Sequence, residues 1–301
     1  MSKYIQFILV ILYAALTIST FFIVIDVFGW LHKPLRDSLV LLTIFIWLLL
    51  SFSAAWFLTG FFLLFMNTRK PILEEEQRLG HSLEDIQKRA NDNARYRLMI
   101  QEEMGMDAFA IGYRTIVVSR GLLNELTDFE IKAVMAHELG HLTSKDCVAS
   151  MAYFLTGYLP RNASFICRLT WRRLKRYFSM LFLPGGLSRL GGLLGRLILI
   201  GFALFYFHLA KYMEAILFYI LLLHRINHLF RFLWKLNSRH TEYRQDAFAQ
   251  KLGLGNDLRV ALCKLIGNVP QKVNFFYIFQ CEHPFMHNRI RRLEKMEGLR
   301  E

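Results

Sequence analysis

At 301 residues the chain has room for one large domain or two smaller ones; it is 54% hydrophobic, holds 27 phenylalanines and carries a formal net charge of +13. That apolar content is high for a water-soluble protein, and Cys147, Cys167, Cys263 and Cys281 form no C-x-x-C pair and are too scattered for a disulfide framework. No nucleic-acid-binding motif accompanies the charge, which leaves basic residues facing anionic lipid as its reading, with no nucleic-acid partner.

Residues 4–25 and 38–66 contain no charged side chain. A bilayer core about 30 Å thick takes roughly 20 apolar residues in helix, so both stretches predict membrane spans. The first is too long for the apolar part of a signal peptide, lacks a small-residue cleavage site and is followed at once by the second. Lys3, Lys33, Arg36, Arg69 and Lys70 flank the spans almost evenly. The later cluster Arg161, Arg168, Arg172, Arg173, Lys175 and Arg176 tips the balance, placing the main polar portion in the cytosol and the loop 26–37 outside. Idle thiols in a reducing compartment agree with that side.

Leu79, Leu83 and Ile86 stripe a helix over residues 73–90. Tyr96, Leu98 and Ile100 alternate with polar residues and predict a strand; residues 108–111 and 115–118 predict two more around the bend Gly112-Tyr113-Arg114. Thr127 and Glu130 then form a capping box, with Asp128 favourable in the first helical turn. Ile131, Val134, Met135, Leu139 and Leu142 line the apolar face of the helix that follows, and its histidines lie off that face. Farther on, residues 197–223 are apolar but interrupted by Lys211 and Glu214. Charges deep in lipid are costly, so a plain continuous span is disfavoured there, leaving a shallow hairpin or a helix buried against the main polar portion.

Residues 136–141 read Ala-His-Glu-Leu-Gly-His. On a helix His137 and His141, at i and i+4, can hold one metal ion, and Glu138 can take a proton from water beside it. A catalytic zinc needs a third protein ligand and leaves a fourth position to water. Glu242 and Asp246 share a helical face about a hundred residues on; one could bind metal while the other orients a histidine. His224 and His228 repeat the spacing, but Arg225 stands where a base would, so a helix-surface role is favoured. Pro284 between His283 and His287 argues against an ordinary helix interior. Cys281 beside His283 lacks partners at zinc-site spacing.

Gly121-Leu122-Leu123, the His137 motif, Asp146 five residues after His141, and Glu242-Tyr243 with Asp246 together resemble the HtpX-type membrane zinc metallopeptidases, relatives of the CAAX prenyl-protein proteases. The likeness runs from about residue 96 onward, and the leading spans fit it. It implies one Zn2+ per chain held by His137, His141 and Glu242, with Glu138 as general base and Asp146 and Asp246 behind the ligands. His283-Pro284 with Arg289-Ile290 resembles the C-terminal motif whose histidine and arginine face substrate and transition state. Gln245 stands where the family usually has alanine, a change the likeness gives little weight. Asp107 replaces an asparagine in its Asn-Ala-Phe-Ala segment.

The expected fold is therefore α+β and mainly α, with integral membrane helices and a cytosolic, zincin-like catalytic domain carrying a small β-sheet. Residues 1–70 would form a membrane hairpin. Residues 71–190 would form the first part of the catalytic domain, 191–235 a second hydrophobic region, and 236–301 the part with the third ligand. The resemblance implies a protease in a bacterial inner membrane, acting in quality control on membrane or misfolded proteins. A non-cleaving protein with a structural or regulatory zinc is the alternative, and it needs a fourth protein ligand. A CAAX-type protease acting on prenylated chains would share the chemistry but has more spans.

Overall fold

The computed structural model describes residues 4–27, 33–158, 165, 172, 173, 176, 193–266 and 286–298. The chain divides into two compact units: Met1–Val10, Leu49–Phe154 and Phe232–Glu301 form one, and Ile11–Leu48 with Leu155–Arg231 form the other. Helices dominate, and one small sheet lies in the first unit.

Two helices open the chain, α1 (Ile5–Val27) and α2 (Lys33–Phe65). Each contains a window long and apolar enough to cross a membrane, Ile5–Phe22 and Asp37–Ala54. In α1, Val10, Tyr13, Ala14, Ile18 and Phe22 are buried at helical spacing while Ile8, Leu12 and Leu16 are exposed. Only 6% of the α2 window is buried, and Leu41, Phe45, Leu49 and Leu50 all face outward. An apolar face that broad suits lipid better than water. Within the second unit, Tyr13 donates a 2.8 Å hydrogen bond to Asn227 Oδ1 and stacks on Phe230.

The sheet has the order β1-β2-β4-β3, with β1 at Thr68–Arg69, β2 at Arg97–Gln101, β3 at Ala108–Ile111 and β4 at Thr115–Ser119. The three longer strands lie where the sequence predicts strands, and β1 is a two-residue addition antiparallel to β2. Gly112 makes the β3–β4 bend at φ 63°, a left-handed conformation that glycine adopts at no steric cost. β4 is central and wholly buried, parallel to β2 and antiparallel to β3. That leaves β3 on an edge among the described strands. Arg69 is less free than its place after a span suggests, since it is ion-paired with Glu75 at 2.7 Å.

Helix α3 (Leu73–Ala90) buries Leu79, Leu83 and Ile86, and the short α4 (Arg120–Glu125) buries Gly121, Leu122 and Leu123. Helix α5 (Asp128–Thr143) packs among α3, β3 and α8 (Gly255–Ile266). The expectation that its histidines lie off a single apolar face gives way here. Glu130, Ile131 and the whole run Ala133–Leu142 are buried, so α5 is a core helix with polar side chains facing an internal pocket. Residues 146–158 continue as α6.

The apolar stretch expected as a shallow hairpin or a buried helix is part of one helix, α7, running Leu193–Lys251 without a turn. Lys211 and Glu214 interrupt its hydrophobicity but not its backbone hydrogen bonds. Met286–Met296 form α9. His283, Cys167, Cys281, Arg161, Arg168 and Lys175 lie outside the described residues. Among the described residues, Cys147 and Cys263 are in no disulfide.

Candidate metal centre

The capping box is present: Thr127 N–H donates to Glu130 Oε2 at 2.7 Å, and the Thr127 hydroxyl accepts from Glu130 N–H. It sets the start of α5, which fixes the rotation at which His137, Glu138 and His141 emerge. At the other end Ser144 caps the helix and Lys145 turns into the left-handed region at φ 60°, so the chain doubles back and Asp146 starts α6 beside His141.

The C-terminal part of α7 meets this turn and brings Glu242 and Asp246. The Nε2 atoms of His137 and His141 lie 3.3 Å apart, and Glu242 oxygens stand 3.4 Å and 3.5 Å from them. Two nitrogens held about 2.0–2.1 Å from one tetrahedral zinc are themselves about 3.3–3.4 Å apart. The donor set, two imidazoles and a carboxylate, is also one that zinc accepts. Behind the rings, Asp246 Oδ1 lies 3.0 Å from His137 Nδ1 and Asp146 Oδ2 lies 3.4 Å from His141 Nδ1. Each carboxylate turns its histidine's Nε2 toward the shared point. His137, His141 and Glu242 thus form a group able to hold a metal ion.

Charge supports the same fit. Glu138, Asp146, Glu242 and Asp246 are all buried, against the cations Arg289 and Arg244. Four carboxylates and two guanidiniums leave two negative charges, which a divalent cation balances and which a buried pocket cannot leave unmatched cheaply. Protons answer to the same excess. Burial and the charge of Arg289 oppose protonation of His137, but Asp246 and Glu242 outweigh them and its pKa is raised. Around His141, burial is outweighed by Asp146 and Glu242, and its pKa stands well above the ordinary imidazole value. Protonated rings therefore stabilise the fold fully below the unfolded value of about 6.5, and that contribution fades as pH rises through the raised values.

Arg289, from α9, is 3% exposed. It grips Asp246 with two bonds, Nη2 to Oδ1 at 2.6 Å and Nε to Oδ2 at 2.9 Å, and its Nη1 lies 3.3 Å from Glu242 Oε2. Burial raises the Asp246 pKa, but Arg289 and His137 overcome it and bring the carboxyl to about 2. Glu138 Oε2 accepts a 2.8 Å bond from Ala110 N–H, on the outer side of edge strand β3. Each candidate site residue within the described region, Glu138, His137, His141, Glu242, Asp146, Asp246 and Arg289, is thus in or against one pocket.

Sequence reasoning missed three side chains around Asp146. Arg244 Nη2 donates to both its oxygens at 2.7 and 2.8 Å, Gln245 Nε2 to Oδ2 at 2.6 Å, and Ser144 Oγ to Oδ2 at 2.7 Å. Two of the three neighbour Asp246 on α7, and the third precedes Asp146 by two residues, but which face each presents could not be read without the α5–α7 approach. His224 and His228 pair at 3.1 Å on the exposed side of α7, in the other unit.

Residues 74–297 match the profile of Peptidase family M48. Over 113 residues the chain is 31% identical to a protein described as Protease HtpX homolog from Aquifex aeolicus (strain VF5). The match spans 36% of this chain and 37% of that relative, little over a third of either. The crystal structure of S. mikatae Ste24p shares the fold, with a TM-score of 0.50 at 19% identity over 91% of this chain and 61% of that one.

Proposed function

This chain belongs to peptidase family M48, and from that premise we propose that it is a membrane-bound zinc metalloendopeptidase that hydrolyses peptide bonds in membrane or misfolded proteins. The observation that carries the reading is the close triangle of His137 Nε2, His141 Nε2 and Glu242 oxygens, with Glu138 one residue along the same helix. His137, His141 and Glu242 would hold the zinc, leaving a fourth position for water, as a catalytic site requires. Zinc bound there would supply Lewis acidity, polarising a carbonyl and lowering the pKa of water to about 7.

The chain's own groups supply the rest. Glu138 takes the proton from the attacking water and hands it to the leaving amine nitrogen. Ala110 N–H steadies the Glu138 carboxylate, and the outer edge of β3 offers backbone groups to an extended peptide lying beside it. Asp246 and Asp146 hold the histidine tautomers, and Arg289 fixes Asp246 and Glu242 in turn. The apolar faces of α1 and α2 support a place in the bilayer, where substrates would include membrane proteins.

Untagged protein is expected to contain one zinc per chain by elemental analysis, to cleave casein or an unfolded membrane protein, and to stop when the metal is chelated. Because zinc must displace protons from His137 and His141, its affinity should rise between pH 6 and pH 8. A chelator-competition series that is flat over that range contradicts the ligand assignment, and cleavage that survives full metal removal contradicts the mechanism.

The charge pattern supports a cytosolic catalytic unit, and the likeness to a protease HtpX homolog supports a bacterial inner membrane. A reporter fused after Arg69 is expected to read cytosolic, and one inserted beside Lys33 external. The reversed pattern overturns that orientation.

A further inference from the structure

Gln245 is the buried member of the group around Asp146. It is 2% exposed, whereas the Arg244 side chain is 34% exposed. Its Nε2 donates to Asp146 Oδ2 at 2.6 Å and to Ser144 Oγ at 2.9 Å. Ser144 Oγ in turn lies 2.7 Å from Asp146 Oδ2 and 2.6 Å from the Gly140 carbonyl oxygen. The other end of the carboxamide fills the notch that Gly140 leaves in α5, since a Cβ on Gly140 would stand 2.4 Å from Gln245 Oε1. Glycine between the two histidines thus admits Gln245, and Gln245 reaches past it to the carboxylate behind His141.

The two donors differ in what they do to that carboxylate. Arg244 brings a full positive charge from the more exposed side, and a cation paired with Asp146 weakens the hold of Asp146 on the imidazole. Gln245 fixes Oδ2 with a neutral N–H from the buried side, so the carboxylate is located without losing its charge. A carboxylate that is both fixed and charged raises the basicity of the histidine it accepts from.

We propose that Gln245 is a positioning residue for the metal centre: wedged against Gly140, it holds the Asp146 carboxylate on Nδ1 of His141 and so sets how tightly His141 binds the cation. This rests on the zinc reading above and extends it to a side chain that the family likeness leaves out. The alanine usual at this position could make neither bond.

Zinc dissociation constants measured by competition with a chromophoric chelator, on full-length untagged protein stripped of metal, test it. Gln245→Met keeps the volume and removes the donors, so zinc should bind about tenfold more weakly. Gly140→Ala, which pushes a methyl into the carboxamide, should weaken zinc similarly, yet add at most a small further loss to Gln245→Ala, where the Phe248 ring at 3.1 Å is the neighbour left to give way. Native affinity in Gln245→Met overturns the proposal, as does a Gly140→Ala effect that persists undiminished in the Gln245→Ala background. Should Gln245→Met fail to fold, Gly140→Ala decides alone, because alanine favours helix over glycine; unchanged affinity there overturns the proposal equally. Failure of the underlying reading looks different: wild-type protein without stoichiometric zinc, or zinc retained by a His137→Ala, His141→Ala double variant.

Discussion

Glu138→Gln is expected to keep its zinc and to lose at least about a hundredfold in cleavage rate, a barrier increase of about 2.7 kcal/mol. The substitution is nearly isosteric, and a carboxamide oxygen can still accept the bond from Ala110 N–H that Glu138 Oε2 accepts at 2.8 Å. His137, His141 and Glu242 are untouched. What disappears is a group able to take a proton from water at neutral pH. Zinc content and cleavage of one substrate, measured on the same preparation, separate the two effects. Undiminished proteolysis would mean that another residue activates the water, and loss of zinc would mean that Glu138 helps build the pocket instead. Self-cleavage during purification should also cease.

Glu242→Ala should strip the metal, because it removes the charged ligand that α7 contributes to the triangle. Asp246 calls for a gentler change. Arg289 is deeply buried, and Asp246 accepts two of its bonds, at 2.6 Å and 2.9 Å. Asp246→Ala would leave that guanidinium leaning on Glu242 alone, and breaking a buried ion pair from one side costs about 3–5 kcal/mol. The alanine variant therefore confounds metal affinity with folding. Asp246→Asn retains an acceptor for His137 or Arg289 and removes the charge; zinc should bind about ten- to a hundredfold more weakly and still saturate in excess. The order of severity is Glu242→Ala above Asp246→Asn in zinc titrations. The opposite order would move the third ligand to Asp246.

The parts of this site legible in the sequence are those written locally. Thr127, Glu130 and the His137 motif lie on one short segment, so cap, helix and histidine spacing could be read together. The turn at Gly112 could be read for the same reason, since a glycine between two β-patterned runs has few other uses. Helix α7 is not legible as one piece, because Lys211 and Glu214 read as breaks in an apolar span. They are neither glycine nor proline, and a change of polarity does not end a helix. In sequence Gln245 reads as a minor departure from a family pattern, although its meaning depends on Gly140, about a hundred residues earlier. Spacing along α7 says which residues share a face; it does not say that a notch on α5 waits opposite one of them.

The same long separations bear on how the protein is made. His137 and its neighbour Arg289 are 152 residues apart. At a synthesis rate of about 5–20 residues per second, about 8–30 s pass between the appearance of the first and the second. Throughout that interval the nascent chain carries the paired histidines and Glu138 but lacks Arg289, and for most of it lacks Glu242 as well. The group able to hold a metal ion therefore cannot assemble until Glu242 has been made, and its buried carboxylates wait for their guanidinium until Arg289 follows.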